Sequence, residues 1–247
     1  MPKENTSTTV SRTIEVLACL AKGLDRIADI CEQLGFNKST VHRLLKGLES
    51  GGFVIRDPIN HHYYLSPFFV ELATKPLSAH KMLTISAASE MDLLRELSQE
   101  TVLLHIPLGL SRICLSEFVS MQDIRYTAGI GKVAPIYVGS AGKLLLSELN
   151  QRELQVILKN LKMEPIGPNT ITDKQTLLAE LNKVRRLGYS VSMGERLSHS
   201  ASISVSVKNY ICPVSLSILG PEDRFKPHLL AVLPAMREAA TNISKKL

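Results

Sequence analysis

The most regular hydrophobic pattern of the chain lies between residues 36 and 57, where apolar residues recur with the period of a helix. Four of them occupy positions i, i+3, i+4 and i+7 of one predicted buried face, namely Val41, Leu44, Leu45 and Leu48. The opposite face is polar and basic and has no acidic residue before Glu49. Asn37 is a candidate N-cap of this helix, and Gly51-Gly52 predicts its end.

Two further patterns flank this helix. Residues 26–34 carry apolar residues on one face of a shorter helix, and the turn Gly35-Phe36-Asn37 joins the two helices. Residues 53–56 and 62–65 predict two strands around a turn at residues 57–60. Two short helices across a tight turn, followed by a hairpin, are typical of a winged helix-turn-helix. A solvated amphipathic helix is the alternative for the second helix alone, but the order of all the elements favours DNA binding.

The outer face of the second helix offers side chains that such a domain inserts into the major groove. The predicted set is Ser39, Thr40, His42, Arg43 and Lys46. Arg43 is the predicted base contact, because arginine to guanine is the commonest specific pairing. Lys46, Lys38 and Arg12 are predicted to hold phosphates. For Arg12, a solvated surface arginine is an equally good interpretation.

Helical patterns also precede and follow this motif. Residues 9–22 predict a supporting helix, and its apolar stripe is Val10, Ile14, Leu17, Ala18 and Ala21. A short helix is predicted from Ser66-Pro67 up to Pro76. Residues 78–99 predict a longer amphipathic helix. This helix is either a linker that also contacts a partner subunit or a core helix of the second domain.

From residue 101 the pattern changes towards the period of strands, and helices alternate with them. The predicted strands are 102–107, 111–120, 201–207 and 214–219, with shorter extended segments at 124–128 and 134–138. The predicted helices are 141–149, 152–161, 172–187 and 227–246. This mixture predicts an α+β or mixed α/β domain.

Serines alternate with other residues between Ser198 and Val207, so a strand would place every serine on one face. Ser215 and Ser217 repeat the alternation in a second predicted strand. A solvent-exposed face explains the pattern as simply as a ligand-binding surface does. The ligand interpretation gains weight if the turn at residues 139–143 encloses the serines, because buried hydroxyls need partners.

The segment Gly139-Ser140-Ala141-Gly142-Lys143 is not a Walker A phosphate loop. Tyr137 stands where the first glycine is needed, and Leu144 replaces the Ser or Thr after the lysine. The segment predicts either a helix N-terminus that favours an anion or a turn that needs small side chains for close packing. Catalytic and metal-binding motifs are missing, so we expect no enzyme, no cofactor and no metal.

Length, charge and cysteine content restrict the number of domains and the kinds of partner that the chain can have. A chain of 247 residues predicts two domains, and its net charge of +6 is only weak support for a polyanionic partner. Residues 1–75 hold nine Lys or Arg against eight Asp or Glu, so bulk charge adds little to the DNA argument. The four cysteines form no zinc motif, and we expect them to be buried and reduced. The sequence has neither a hydrophobic signal region nor an apolar run of ~18 residues, which predicts a cytoplasmic protein without a membrane partner.

Over residues 9–245 the chain resembles the IclR (isocitrate lyase regulator) family of bacterial transcription factors. The N-terminal likeness lies in RTIEVLACLA and IADICEQLGFNKSTVHRLLKGLESGGFVIRD. The C-terminal likeness lies in VAPIYVGSAGKLLLSEL, PNTITD, KVRRLGYSVSMGE and SLSILGPEDRF. These segments, taken together in this order and at this spacing, are specific to that family.

The resemblance implies an N-terminal winged helix-turn-helix domain (1–76), a linker helix (77–100) and a C-terminal GAF/PAS-like mixed α/β domain (101–247) for effector binding and oligomerisation. It also implies a homodimer or homotetramer on an inverted-repeat operator in double-stranded DNA. The implied effector is a small organic or aromatic acid. Its implied contacts are Ser140, Ala141, Ser192, Ser202, Ser217 and Leu219.

The chain departs from the family pattern in this pocket. Ser192 replaces an acidic residue, Ser202 replaces a cysteine of some members, Leu219 replaces a serine, and only Glu195 remains of an acidic pair. The identity of the effector therefore cannot be inherited. We expect a sequence-specific regulator whose operator binding is modulated by an effector. The alternative is a constitutive DNA-binding protein whose C-terminal domain only oligomerises.

Overall fold

The computed structural model describes residues 8–70, 72 and 80–247. The chain forms two compact units, Met1–Ser78 and Ala79–Leu247. Among the residues described, none of the helices has both the length and the apolar character needed to cross a membrane.

The N-terminal unit contains three helices and a two-stranded antiparallel sheet. The helices are α1 (Thr8–Ala21), α2 (Ile27–Leu34) and α3 (Lys38–Ser50), and the strands are β1 (Val54–Arg56) and β2 (Tyr63–Leu65). Their common core consists of Val16, Cys19, Leu20, Ile30, Val41, Leu44, Leu45, Leu48, Val54 and Tyr63. All four apolar residues predicted on one face of α3 are buried, and the predicted winged helix-turn-helix is confirmed.

The predicted apolar stripe of α1 is wrong for four of its five residues, and only Leu17 packs partly against the core. The buried residues are Val16, Cys19 and Leu20, whereas Val10 and Ile14 are more than half exposed. At about 100° per residue these two sets lie on opposite faces of the helix. Because α1 has apolar residues on both faces, its periodicity alone does not show which face packs against α3 and β2.

The C-terminal unit is built on one six-stranded antiparallel sheet with the order β5-β4-β3-β8-β7-β6. The strands are β3 (Thr101–Leu108), β4 (Ser111–Phe118), β5 (Val133–Pro135), β6 (Ser190–Met193), β7 (Ser200–Val207) and β8 (Val214–Pro221). The helices are α4 (Lys81–Ser98), α5 (Gly139–Ser147), α6 (Gln151–Asn160), α7 (Lys174–Leu187), α8 (Glu222–Phe225) and α9 (Leu233–Lys245), with a 3-10 turn at Lys226–His228.

The sheet is covered on both faces. Helices α4 and α9 pack on the face that carries Val102, Leu104, Leu216 and Ile218, and form the largest core of the chain with it. Helix α5 packs on the opposite face, where the serines of β7 and β8 point, and α6 and α7 form a second core with it. On this face Ser204, Ser215 and Ser217 are therefore buried, whereas Ser202 and Ser206 are half-buried.

Helix α4 takes one of its two predicted roles. Leu83, Ala87, Met91 and Leu94 are buried in the core of the C-terminal unit. The predicted role as a linker that contacts a partner subunit stays a prediction, and residues 77–79 lie outside the described part.

The preceding predicted helix is partly described, and residues 68–70 and 72 are helical.

Two strand predictions differ from the structure. Residues 124–128 were expected to be extended, but they pair with no strand, and the carboxylate of Glu117 accepts the backbone N–H groups of Ala128 and Gly129 in place of a ladder. The edge strand β6 is not among the predicted strands, because four residues directly after a helix and a glycine give too short a pattern.

The last helix and the cysteines differ in part from expectation. Helix α9 begins at Leu233, after two short turns, and not near residue 227. All four cysteines are free, but only Cys19 and Cys114 are buried, whereas Cys31 and Cys212 are half-buried. Burial raises the pKa of the Cys114 thiol to about 12, so this thiol stays protonated and unreactive.

Candidate functional sites

The turn between α2 and α3 fixes the start of the predicted DNA-binding helix. Gly35 ends α2 in the left-handed conformation, at φ 66°, which glycine adopts without strain. Asn37 then caps α3, and its Oδ1 accepts the backbone N–H of Thr40 at 2.9 Å and the hydroxyl of Ser39 at 3.0 Å. The first turn of α3 is therefore capped, with Ser39 exposed and Thr40 half-buried.

The outer face of α3 is polar and largely unpartnered. His42 and Arg43 are exposed, and within residues 8–70 neither side chain makes a hydrogen bond or an ion pair. Lys46 pairs with Glu49 at 3.3 Å, although its side chain is more than half exposed. Lys38 is exposed at the start of the helix. Such a face can donate to phosphates and to base edges without first breaking strong internal contacts.

Arg12 lies beside the helix-turn-helix. Its guanidinium group sits 5.4 Å from the centre of the Phe36 ring, which belongs to the turn between α2 and α3. A cation–π contact of this kind holds the charge near the turn while Arg12 stays exposed. Both predicted roles of Arg12, phosphate contact and surface residue, are compatible with this position.

His62 connects the hairpin to the residues just before α2, a role that no short-range pattern in the sequence indicates. Its Nδ1 lies 3.2 Å from Oδ2 of Asp25, and Nε of Arg26 donates to its Nε2 at 3.2 Å. The backbone N–H of Tyr63 also donates to the carbonyl of Asp25. These contacts bridge 36 to 38 positions of sequence and fix the hairpin against the start of α2.

In the C-terminal unit, serine hydroxyls form a continuous hydrogen-bonded chain on the enclosed face of the sheet. Ser140 donates to Ser202 at 2.7 Å, and Ser204 donates to Ser140 at 2.7 Å. Ser217 lies 2.8 Å from Ser204 and 3.0 Å from Ser215. The chain links α5 to β7 and β8, so the turn at residues 139–143 does enclose the alternating serines.

All six residues of the predicted effector pocket line one cleft, at the end of this hydroxyl chain. They are Ser140, Ala141, Ser192, Ser202, Ser217 and Leu219. The empty space of this cleft, including the solvent at its open mouth, is about 630 Å³. The structure brings the six residues together, and their contact with an effector stays a prediction.

The N-terminus of α5 already holds an anion of the protein itself. Oε2 of Glu195 accepts the backbone N–H of Gly139 at 2.8 Å, and its Oε1 lies 2.5 Å from Nζ of Lys143. Lys143 also donates to the carbonyl of Val191 at 2.7 Å, and its side chain is only 3% exposed. The lysine of this turn therefore neutralises a buried carboxylate.

Close packing also requires a small residue in this turn. A Cβ atom on Gly142 would lie 2.1 Å from the carbonyl oxygen of Ile136, a distance that no side chain tolerates. Both sequence interpretations of the turn are therefore realised in the structure. The helix N-terminus binds a carboxylate, and the backbone approach demands glycine.

Family models match both units of the chain. The model described as "Bacterial transcriptional regulator IclR C-terminal" matches residues 76–245, and that described as "IclR helix-turn-helix domain" matches residues 9–58. The chain belongs to the IclR family. Its members are transcriptional regulators and not enzymes, with a helix-turn-helix DNA-binding domain and a C-terminal effector domain.

Individual IclR relatives match over nearly the full length. The HTH-type transcriptional regulator KipR of Bacillus subtilis is 29% identical, over 99% of this chain and 98% of its own. An IclR regulator from Alicyclobacillus acidocaldarius has a TM-score of 0.70 at 25% identity, over 96% of this chain and 98% of its own. An IclR homologue from Microbacterium hydrocarbonoxydans, complexed with 4-hydroxybenzoate, has a TM-score of 0.71 at 21% identity, over 97% and 99%.

The cleft of this IclR-family chain has a basic side that the sequence analysis missed. Arg112, Lys132, Arg196 and His105 line it, and no Asp or Glu is among its lining residues. The one signal of it in the sequence is Arg112, which lies in a predicted strand of mostly uncharged residues. A charged residue is rarely buried in a sheet without a reason. Nothing in the sequence showed that Arg196, in the loop after β6, lies at the same cleft.

Burial lowers the pKa values of two side chains on this basic side, Arg112 and His105. Burial lowers the pKa of Arg112 to about 10, and the nearby charge of Arg196 adds to the shift, whereas Glu195 opposes it. Arg112 nevertheless remains protonated at neutral pH. Burial, followed by the charges of Arg112 and Arg196, lowers the pKa of His105 well below its usual value, so this imidazole is neutral.

Proposed function

We propose that this IclR-family regulator binds a specific operator through α3 and that a small organic or aromatic acid in the cleft changes its affinity for that operator. The observation that carries the proposal is the hydrogen-bonded chain of serine hydroxyls between α5 and the sheet. Three of its members, Ser140, Ser202 and Ser217, line the cleft. A solvent-exposed serine face would have favoured a domain that only oligomerises.

The DNA-binding part of the proposal rests on the exposed face of α3. Ser39, Thr40, His42, Arg43 and Lys46 enter the major groove, with Arg43 as the base contact. Lys46, Lys38 and Arg12 hold phosphates. The absence of an internal partner for Arg43 among the described residues supports its assignment, because a free guanidinium group can make a bidentate contact with guanine.

The effector part rests on the polarity of the cleft. Ser140, Ser192, Ser202 and Ser217 offer hydroxyls, Ala141 and Leu219 offer apolar contact, and the basic side favours a carboxylate. The complex of the Microbacterium relative with 4-hydroxybenzoate is consistent with an aromatic acid. A hydroxyl-lined site of this kind discriminates by the polar groups that the ligand offers in return.

A second copy of the chain completes the proposed regulator. Helix α4 leaves four large apolar residues exposed, namely Met82, Ile85, Leu93 and Leu97. A partner subunit would cover such a stripe, and a two-fold dimer or a tetramer would match an inverted-repeat operator. Effector binding then biases the placement of the two DNA-binding domains through α4. We place this function in the cytoplasm, where the DNA is.

A footprint tests the proposal. The purified full-length protein is incubated with the DNA upstream of its own gene and the neighbouring genes, with and without a panel of organic and aromatic acids. The expected result is a protected inverted repeat whose protection one acid changes. Protection that no acid changes would favour a constitutive DNA-binding protein, and no protection at any salt concentration would refute the role of α3.

A further inference from the structure

The lining of the cleft carries an excess of positive charge, on which the carboxylates of Glu195 and Glu117 act only from outside the lining. Arg112, Lys132 and Arg196 line it, and no carboxylate does. Glu195 lies next to this side, but Lys143 and the N–H of Gly139 already occupy its two oxygens. Within the described ranges, neither Arg112 nor Arg196 makes an ion pair.

Two buried nitrogen atoms at the cleft lack hydrogen-bond partners among the described residues. Arg112 is 6% exposed, and its Nη1 donates to the carbonyls of Pro135 at 2.7 Å and Val138 at 2.6 Å. Its Nε is buried without a hydrogen-bond partner among the described residues. His105 is 5% exposed, and its Nδ1 is buried and unpartnered in the same part of the chain.

Burying a cation without a counter-charge is costly, and so is a buried hydrogen-bonding group without a partner. A ligand that brings negative charge to this side would offset both costs. Carboxylates form their strongest contacts with guanidinium groups, often through two parallel hydrogen bonds. One carboxylate would leave much of the charge of Arg112, Arg196 and Lys132 uncompensated.

We propose that the effector is an organic acid with two anionic groups, one held by the guanidinium groups of Arg112 and Arg196 and the other by the ammonium group of Lys132, with the hydroxyl of Ser202 as a further donor. His105 stays uncharged and contributes one hydrogen bond. The inference rests on the proposed role of the cleft and narrows it from acids in general to dianions.

Calorimetric titration of the full-length protein with matched acids tests this inference. The pairs are butanoate with succinate and benzoate with phthalate, in a buffer without other carboxylates. We expect at least one diacid to bind at least tenfold more tightly than its monoacid. Equal affinity within both pairs, or binding by none of the four acids, would overturn the proposal.

Two variants locate the effect. Arg196→Gln, at a half-buried position that the fold tolerates more readily than Arg112, should reduce the preference for the diacid to less than threefold. Arg125→Gln removes an exposed arginine outside the cleft and should keep the full preference. Circular dichroism confirms that each variant is folded. An unchanged preference in Arg196→Gln would overturn the proposal.

Ser202→Val separates this inference from the proposed function. If Ser202→Val abolishes acid binding while wild type binds each diacid no more tightly than its monoacid, the cleft is the effector site but the dianion is wrong. If Ser202→Val binds the acids as wild type does, the cleft itself is wrong.

Discussion

Helix α3 and strands β7 and β8 are both amphipathic, but their polar faces end in opposite environments. On α3 the polar face is exposed, and Arg43 has no partner among the described residues. On the strands the polar face is covered by α5, so that Ser204 is 0% and Ser217 2% exposed. A buried hydroxyl needs a hydrogen bond, and these serines provide it for one another.

This difference separates two ways of binding. A ligand of α3 adds contacts to exposed side chains, of which His42 and Arg43 have no partner among the described residues. A ligand of the cleft must fit groups that are already hydrogen-bonded, except on the basic side, where Arg112 and His105 have unpartnered atoms. We therefore expect substitutions near the cleft to affect the fold as well as binding, and substitutions on α3 to affect binding alone.

The largest contrast is expected between two ion pairs. Lys143→Met leaves the buried carboxylate of Glu195 without its cation and should lower the free energy of unfolding by about 3–5 kcal/mol. Lys46→Met removes an exposed pair with Glu49 and should cost at most about 1 kcal/mol. Urea unfolding followed by circular dichroism measures both. Similar losses in the two variants would contradict the account.

Glycine substitutions should have opposite signs in the two regions. Gly142→Ala forces a Cβ against the carbonyl of Ile136 and should destabilise the C-terminal unit by about 3 kcal/mol. Gly47→Ala, in α3 with open space around it, should stabilise the protein by about 0.5–1 kcal/mol, because alanine favours a helix. Thermal and urea unfolding test both signs, and a stable Gly142→Ala protein would refute the close packing.

A single side chain of α3 should affect DNA binding without affecting stability. Arg43→Ala should weaken operator binding by about 1–3 kcal/mol and relax specificity at one base pair. Arg152→Ala removes another exposed arginine, on α6, and serves as the control. Fluorescence anisotropy with operator and random DNA measures the effect. An equal loss on both DNAs would make Arg43 a phosphate contact.

The sequence predicted the N-terminal unit well, because its signals are local. The face of α3, the Asn37 cap and the Gly35 turn all depend on residues a few positions apart. The predicted stripe of α1 is the exception, because local signals do not decide which face of that helix is buried. Its apolar residues cover two faces, and only contacts with α3 and β2 select the buried one.

The C-terminal site was only partly predictable. Alternation placed the serines on one face, but it could not show that α5 covers that face. The pairing of Lys143 with Glu195 joins residues 52 positions apart, and Arg112 reaches the carbonyl of Val138 across 26 positions. No short-range pattern encodes such contacts, so the basic side of the cleft emerged only from the fold.

The most direct test of the account is the operator affinity of the full-length protein, with and without the acid that alters its footprint. Three proteins are compared: wild type, Ser202→Val and Ser206→Val. Ser206 lies on the same strand as Ser202 but outside the cleft. We expect a response in wild type and Ser206→Val, and none in Ser202→Val, whose affinity without acid is unchanged. A wild-type response in Ser202→Val would contradict the claim that this cleft controls DNA binding.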